Sequence, residues 1–391
     1  MKAWLWLAGA CALAAAGCGG TDPSGIASLE VVPASTLVVG VGNTVSFVAT
    51  ARDASGSPVP DAGVSWRSDD EAVATVGPTG VASAVSNGVT RVVASVEGVD
   101  GSATLEVWVP EDVSDFVPGT SYSGRRGYVE YIPGDLPVVM SAPHGGDMTP
   151  AEIPDRTWGT LVTDTNSRET VLAIREAFIE GTGSAPHVVI SHLKRTKLDP
   201  NREIDEAAQA SPFAENAWHE FHHFIEVAEG AVAAESGGGL YLDLHGHGHP
   251  NNWVELGYLL SASDLHQPDE ALDGSTYVDK SAIRALARDV EIPFSQLLRG
   301  PASFGGRLAA LGVRSVPSPD DPSPGTEAYF SGGYNTLRHG SRTADRVVSG
   351  IQLELPRPGV RDTEENRRLF AARLAAVVEG YLKDHFGFFH P

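Results

Sequence analysis

Lysine is nearly missing from this 391-residue chain: Lys2, Lys194, Lys197, Lys280 and Lys383 are the full set. Lysine and arginine together number 28 against 50 aspartates and glutamates, a formal net charge of -22. Nucleic-acid binding relies on clustered cations that release counterions from phosphates, so no nucleic-acid partner is expected. A polybasic patch for an anionic membrane surface is excluded on the same ground. Cysteine is scarcer still. Cys11 and Cys18 both fall at the extreme N-terminus, which leaves no disulfide framework for the rest. The apolar run Ala3 to Ala16 stops short of the roughly 20 residues that cross a bilayer. Histidine is absent before His144, and all thirteen lie at or beyond that position, so imidazole chemistry is confined to the C-terminal part. Against these absences, 42% hydrophobic and 20% charged residues describe a globular chain. Its length suits two domains at roughly 100–200 residues each.

Met1-Lys2, the short apolar run and Ala15-Ala16-Gly17-Cys18 together resemble a bacterial lipoprotein signal. The resemblance implies a signal peptide over 1–17 and a lipidated tether over 18–25, with Cys18 acylated. Gly19 and Gly20, rather than an Asp, follow the cysteine, which points to an exported lipoprotein of the cell envelope, at the outer membrane. Membrane contact is then expected only through the lipid on Cys18.

From 26 to 109, short alternating segments such as Thr44-Val45-Ser46-Phe47-Val48-Ala49-Thr50 are punctuated by Gly, Asn and Asp turns, the pattern of an antiparallel sandwich. Val39 to Val45, Val64 to Ser68, Ala72 to Val76 and Thr79 to Ala84 resemble a group 2 bacterial immunoglobulin-like domain, which implies a stalk without catalytic residues. Residues 110–126 are expected to be a linker. Over 127–391, apolar strand candidates (Val138 to Met140, Val188 to Ile190, Leu240 to Leu244, Ile351 to Leu355) alternate with helical stretches near 166–180, 213–235 and from Asp362 onward. Such alternation predicts one α/β domain with helices on both faces of a sheet.

Four features stand beside those strands, where open α/β sheets place their sites. Ser141-Ala142-Pro143-His144-Gly145-Gly146-Asp147 offers a His and a carboxylate three apart on a turn that could face one metal ion. Asp243-Leu244-His245-Gly246-His247-Gly248-His249 offers three alternating imidazoles, ligands suited to zinc, with Asp243 able to orient one of them. Lys194 to Arg202 is a dense basic cluster for so acidic a chain, and guanidinium forks recognise carboxylates. Glu354, flanked by apolar residues in Gly350 to Leu355, would acquire a raised pKa if buried and could serve as a general base.

The ordered set Pro143-His144-Gly145-Gly146, Asp199-Pro200-Asn201-Arg202, Asp243-Leu244-His245, Gly332-Gly333-Tyr334 and Gln352-Leu353-Glu354 resembles the N-formylglutamate amidohydrolase family. That family's fold is similar to that of the zinc carboxypeptidases. The resemblance implies a three-layer α/β hydrolase domain of the phosphorylase/hydrolase type, a zinc or other divalent cofactor, and cleavage of an amide in a carboxylate-bearing N-acyl amino acid or peptide. It casts His144, Asp147 and His245 as metal ligands and Glu354 as the base. Arg195 would face the developing oxyanion, with Asn201, Arg202, His247 and Tyr334 around the substrate. Asp147 stands where the carboxypeptidases have Glu, so Glu152 and Asp164 are held as alternative third ligands. The envelope address makes poly-γ-glutamate or peptidoglycan peptides the second substrate expectation, and a pocket that binds without turnover the non-enzymatic one. His219-Glu220-Phe221-His222-His223 also satisfies the HExxH pattern of zinc proteases, but its apolar neighbours suggest a helix packed on the core with Glu220 on its surface. Oligomeric state has no signature in the sequence.

Overall fold

Frequent turns in the first part and long apolar strands in the second produce two different architectures. The computed structural model describes residues 25–110, 116–343 and 345–388, and the chain divides between Val107 and Trp108. The expected signal peptide and the acylated Cys18 lie outside the described residues. Among the described residues, no helix is long and apolar enough to cross a membrane.

The N-terminal unit is rich in strands. Ile26–Val32 pairs antiparallel with Val48–Asp53, and Gly88–Val96 forms a hairpin with Val99–Trp108 and lies beside Ser65–Ser68. A third, short sheet joins Thr44–Ser46, Val81–Ala84 and Ala74–Val76. The middle of the first long strand (Val92, Val93, Ala94) and the end of the second (Leu105, Glu106, Val107) are fully buried, while their other ends alternate between more and less exposed positions. Among its described residues, the buried polar groups are Thr90 and Glu106.

The C-terminal unit is built on an eight-stranded mixed sheet. In chain order its strands are β1 (Tyr122–Ser123), β2 (Val129–Ile132), β3 (Val138–Ala142), β4 (His187–Ser191), β5 (Gly239–His247), β6 (Val254–Gly257), β7 (Ser315–Val316) and β8 (Val348–Pro356). They lie in the order β1-β2-β4-β3-β5-β8-β6-β7. The central four run parallel, β4 beside β3, β3 beside β5 and β5 beside β8, while β6 joins β8 antiparallel. The edge strand β1 falls inside the stretch expected to be linker, and it pairs Tyr122 with Tyr131.

Burial on both faces explains the apolar runs Val138 to Met140 in β3 and Val188 to Ile190 in β4. Helix α1 (Ser167–Thr182) and the C-terminal helix α4 (Glu364–Phe386) cover one face, with Val171, Ile174, Phe178, Leu374, Val378 and Tyr381 packed on Met140, Leu242 and Leu353. Helix α2 (Pro212–Ser236) covers the other, laying Ala217, Phe221, Ile225 and Ala228 on Val139, Val189 and Tyr241. These spacings of three and four are the stripe of a core-facing helix. A six-residue helix α3 (Tyr334–His339) precedes β8. The cap of α4 is Thr363, whose hydroxyl accepts from the Asn366 N–H at 3.1 Å, one residue beyond the expected Asp362. Asp362 instead accepts from the Thr363 N–H and the Asn366 side chain.

Candidate metal centre

Strand periodicity assembles the site. Asp243, His245 and His247 occupy alternate positions of β5 and so face the same side, the side covered by α2. In register beside them on β8 are Gln352 opposite Asp243 and Glu354 opposite His245. Directly opposed residues on neighbouring strands project to one face. Ser141, at the end of β3, completes the row opposite Asp243. His144 follows β3 immediately, and the turn there needs glycine: a Cβ on Gly146 would overlap the His192 carbonyl.

The rings of His144 and His245 meet with their Nδ1 atoms 3.0 Å apart. Asp164 Oδ2 stands 3.2 Å from the first Nδ1 and 3.3 Å from the second. Ligands held about 2.0–2.1 Å from a tetrahedral zinc are spaced by roughly 3.3 Å, so the three donor atoms already have the spacing of one ion's ligand set. The opposite ring nitrogens fix the tautomers. His144 Nε2 lies 2.6 Å from Asp199 Oδ1 and His245 Nε2 lies 2.7 Å from Asp243 Oδ2. An ionised carboxylate only accepts, so each Nε2 carries a proton. Against its burial, Asp243 and Asp164 hold the His245 pKa above its ordinary value, and a cation at the shared centre would take the place of the proton held between the Nδ1 atoms and Asp164. A carboxylate behind each ligating imidazole is the usual support of a metal-bound histidine.

These carboxylates are held ionised. Burial alone would raise Asp164 and Asp199, but the His144 ring against both, His245 beside the first and Arg195 beside the second outweigh it and hold both well below the usual carboxylate range. Asp243 is likewise lowered, chiefly by His245 against its burial, with the Ser141 hydroxyl and the Asn335 amide donating to it. Glu354 goes the other way. Burial pushes its carboxyl up to about 8, opposed by His245 and reinforced by Asp164, Glu255 and Asp243.

That shift sets a pH dependence. Between about 4.5 and about 8 the folded, metal-free chain keeps a proton on Glu354 that the unfolded chain has lost. Stability therefore falls as pH rises through this window, by at most about 1.4 kcal/mol per pH unit. Glu354→Gln has no such proton to lose. In chelated protein its melting temperature should exceed that of the wild type by a margin that widens from pH 5 to pH 8, read by calorimetry. A margin constant with pH would show that Glu354 is not raised.

The carboxylate expected beside His144 is corrected. Asp147 is exposed and paired with Arg168 at 3.2 Å, because the Gly-Gly turn carries it away from both rings. Glu152, the other alternative, is exposed and accepts from the Tyr128 hydroxyl. Asp164 returns to the site because its own N–H donates to the His144 carbonyl at 3.1 Å and its Oδ2 accepts from the Gly246 N–H at 3.1 Å.

Arg195 is also placed differently from expectation. Its Nε donates to Asp199 at 3.0 Å and its Nη1 faces Asp164 and the Val162 carbonyl, so it braces the carboxylates. Asn201 is buried, accepting from the Asn335 N–H at 2.8 Å with Nδ2 3.3 Å from His245 Nε2. Arg202 is half-buried, with its Nε on Glu206 at 3.1 Å. Tyr334 is half-buried at the start of α3, where Arg338 donates to its hydroxyl at 3.1 Å. The Gly333 backbone packs against Asn201, bringing the Gly-Gly-Tyr and Asn-Arg motifs together. His247 is buried beside Trp253 and Glu255.

The HExxH residues form no such centre. Glu220 is buried rather than on the surface, accepting from the Arg125 N–H at 2.9 Å and from Asn216 at 3.1 Å. Among the described residues, the groups able to hold a metal include neither His219 nor His223.

Sequence reasoning missed the roles of Asp199, Asn335 and Arg361. Asp199 stood inside a quoted motif, but nothing in the spacing ties it to His144. Arg361 is buried against Gly246, where a Cβ would collide with its guanidinium, and it donates to the Leu355 carbonyl at 3.1 Å.

No family model matches the chain, and no curated protein matches it either. Among solved structures it is similar to an N-formylglutamate amidohydrolase from Ralstonia eutropha JMP134, at 14% identity over 64% of this chain and 95% of that one, with a TM-score of 0.38. A gene product of Agrobacterium tumefaciens is similar at 14% identity over 66% and 95% of the two chains, with a TM-score of 0.38. Domains 4 and 5 of the S-layer protein SbsC are similar at 20% identity over 21% of this chain, with a TM-score of 0.19, and the chain spans about half (51%) of that fragment's length.

Proposed function

We propose that the C-terminal unit is a metal-dependent hydrolase of amide bonds, and that its substrate is an N-acyl amino acid or peptide carrying a free carboxylate. The observation that carries this is the meeting of two Nδ1 atoms and one carboxylate oxygen at ligand spacing, backed by Asp199 and Asp243. The three donors, two imidazoles and a carboxylate, suit zinc and leave a tetrahedral site one position short. A divalent cation held by His144, Asp164 and His245 would lend Lewis acidity to the scissile carbonyl and bring the pKa of water toward neutrality.

Glu354 supports the chemistry from the neighbouring strand. Its raised pKa, about 8 without a cation, lies close to the working range of a general base. In this reading it takes the proton from water and passes it to the departing amine. Gln352 Nε2, 2.9 Å from Glu354 Oε1, fixes the carboxyl's orientation. Arg195 and Asn201 are positioning residues that hold Asp199, Asp164 and His245. Arg202 and Tyr334, at the half-buried rim, meet the substrate carboxylate. The N-terminal unit is an immunoglobulin-like stalk, and the chain is tethered to the cell envelope through Cys18.

The test is a panel of N-acyl-glutamates and γ-glutamyl peptides, each beside its carboxamide analogue, with and without chelator. Hydrolysis should vanish on chelation and return with Zn²⁺. The carboxamide analogues should lose roughly 10–100-fold in kcat/KM, the worth of one charge-assisted bond. Turnover insensitive to chelator would overturn the metal centre, and equal turnover of both analogues would overturn the carboxylate preference.

A further inference from the structure

His247, His249 and Glu255 take no part in the chemistry just described, yet their ligand atoms all lie within 4.8 Å of one another. His249 Nδ1 is 2.7 Å from Glu255 Oε1, and His247 Nδ1 is 3.9 Å from the same oxygen. His247 is prepared as a ligand. Its Nε2 lies 2.9 Å from the Trp253 carbonyl, which can only accept, so that nitrogen holds the proton and Nδ1 presents a lone pair toward Glu255. Support of a ring by a backbone carbonyl behind it is a common feature of metal-binding histidines. Glu255 is fully buried, with its second oxygen accepting from the Phe330 N–H at 2.7 Å. In this metal-free arrangement the His247 lone pair has only the His249 N–H, at 3.2 Å.

The strand register ties this group to the first. Glu255 on β6 opposes Glu354 on β8, and Glu354 opposes His245 on β5. Three neighbouring strands thus place His245, Glu354 and Glu255 in one row on one face. We infer that His247, His249 and Glu255 form a second divalent-cation site, so that Glu354 stands between two metal ions. Two imidazoles and one carboxylate favour borderline ions such as Zn²⁺ or Co²⁺. A cation there would displace the proton shared by His249 and Glu255, coordinate both groups, and take up the His247 lone pair in place of the His249 N–H. It would also neutralise one of the carboxylates that crowd Glu354.

The test is metal stoichiometry on the untagged full chain, reloaded with Co²⁺, dialysed, and read by elemental analysis and visible absorption. The wild type should hold two equivalents. His249→Ala should hold one, as should His144→Ala, with different residual spectra. Glu255→Gln keeps the shape of the buried carboxylate and serves as a second variant should His249→Ala fold poorly; it should also hold one. A wild type with one equivalent, lost in His144→Ala and kept in His249→Ala, would overturn the second site and leave the hydrolase centre standing. One equivalent that survives His144→Ala and disappears in His249→Ala would support the second site and remove the first.

Discussion

Glu354→Gln should lower turnover by roughly 10²–10⁴-fold, the range typical of a lost general base, while the His144–Asp164–His245 group keeps its metal. The amide retains the oxygen that accepts from Gln352, so the pocket's shape survives and only basicity goes. Glu220→Gln supplies the contrast. Glu220 is bonded to the Arg125 N–H and to Asn216, so exchanging one acceptor oxygen should cost on the order of 1 kcal/mol of stability. It should leave kcat within about twofold, because Glu220 lies on α2 outside the His144–Asp164–His245 group. If the HExxH motif carried the chemistry, the two results would be exchanged, and His219→Ala would also empty the metal site. Metal content and kcat measured on both variants decide the matter. An inactive Glu220→Gln protein beside an active Glu354→Gln protein would overturn the assignment of the base.

Residues on the strands, and His144 just past the end of one, were legible in the sequence, while Asp164 and Asp199, carried by longer loops, were not. His245 and Glu354 follow apolar runs that can only be central strands, and strand periodicity then fixes the face on which they emerge. The register that sets Glu354 opposite His245 is a consequence of two parallel strands being neighbours, which an ordered set of motifs implies. Asp164 was harder to see, because twenty residues of irregular loop separate it from His144 and nothing local encodes their contact. It is returned to the site by one backbone bond to His144 and one to Gly246, both of them tertiary. Asp147 looked better by spacing alone, since a carboxylate three residues after a histidine often shares its ion. The glycines that let the turn approach β4 also swing Asp147 into solvent. Glu220 was misplaced for a related reason: a helix periodicity identifies the face toward the core, but not the loop that covers the flank.

The largest effect on metal binding should therefore come from Asp164 and not from Asp147. Asp164→Asn retains an oxygen for the Gly246 N–H and removes the negative charge facing the Nδ1 atoms of His144 and His245. Zinc affinity should fall by well over the roughly 10–100-fold that loss of an outer-shell partner costs, because a direct ligand is lost. Asp199→Asn, which alters the support behind His144, should fall within that 10–100-fold range. Asp147→Ala breaks an exposed pair with Arg168 worth about 0–1 kcal/mol, and should leave zinc affinity unchanged. Competition with a chromophoric chelator, run at one pH on all three variants, orders them. The expected order of loss is Asp164→Asn, then Asp199→Asn, then Asp147→Ala. An Asp147→Ala protein that has lost its zinc, beside an Asp164→Asn protein that keeps it, would mean that the loop rearranges on metal binding and that the carboxylate three residues after His144 is the ligand after all.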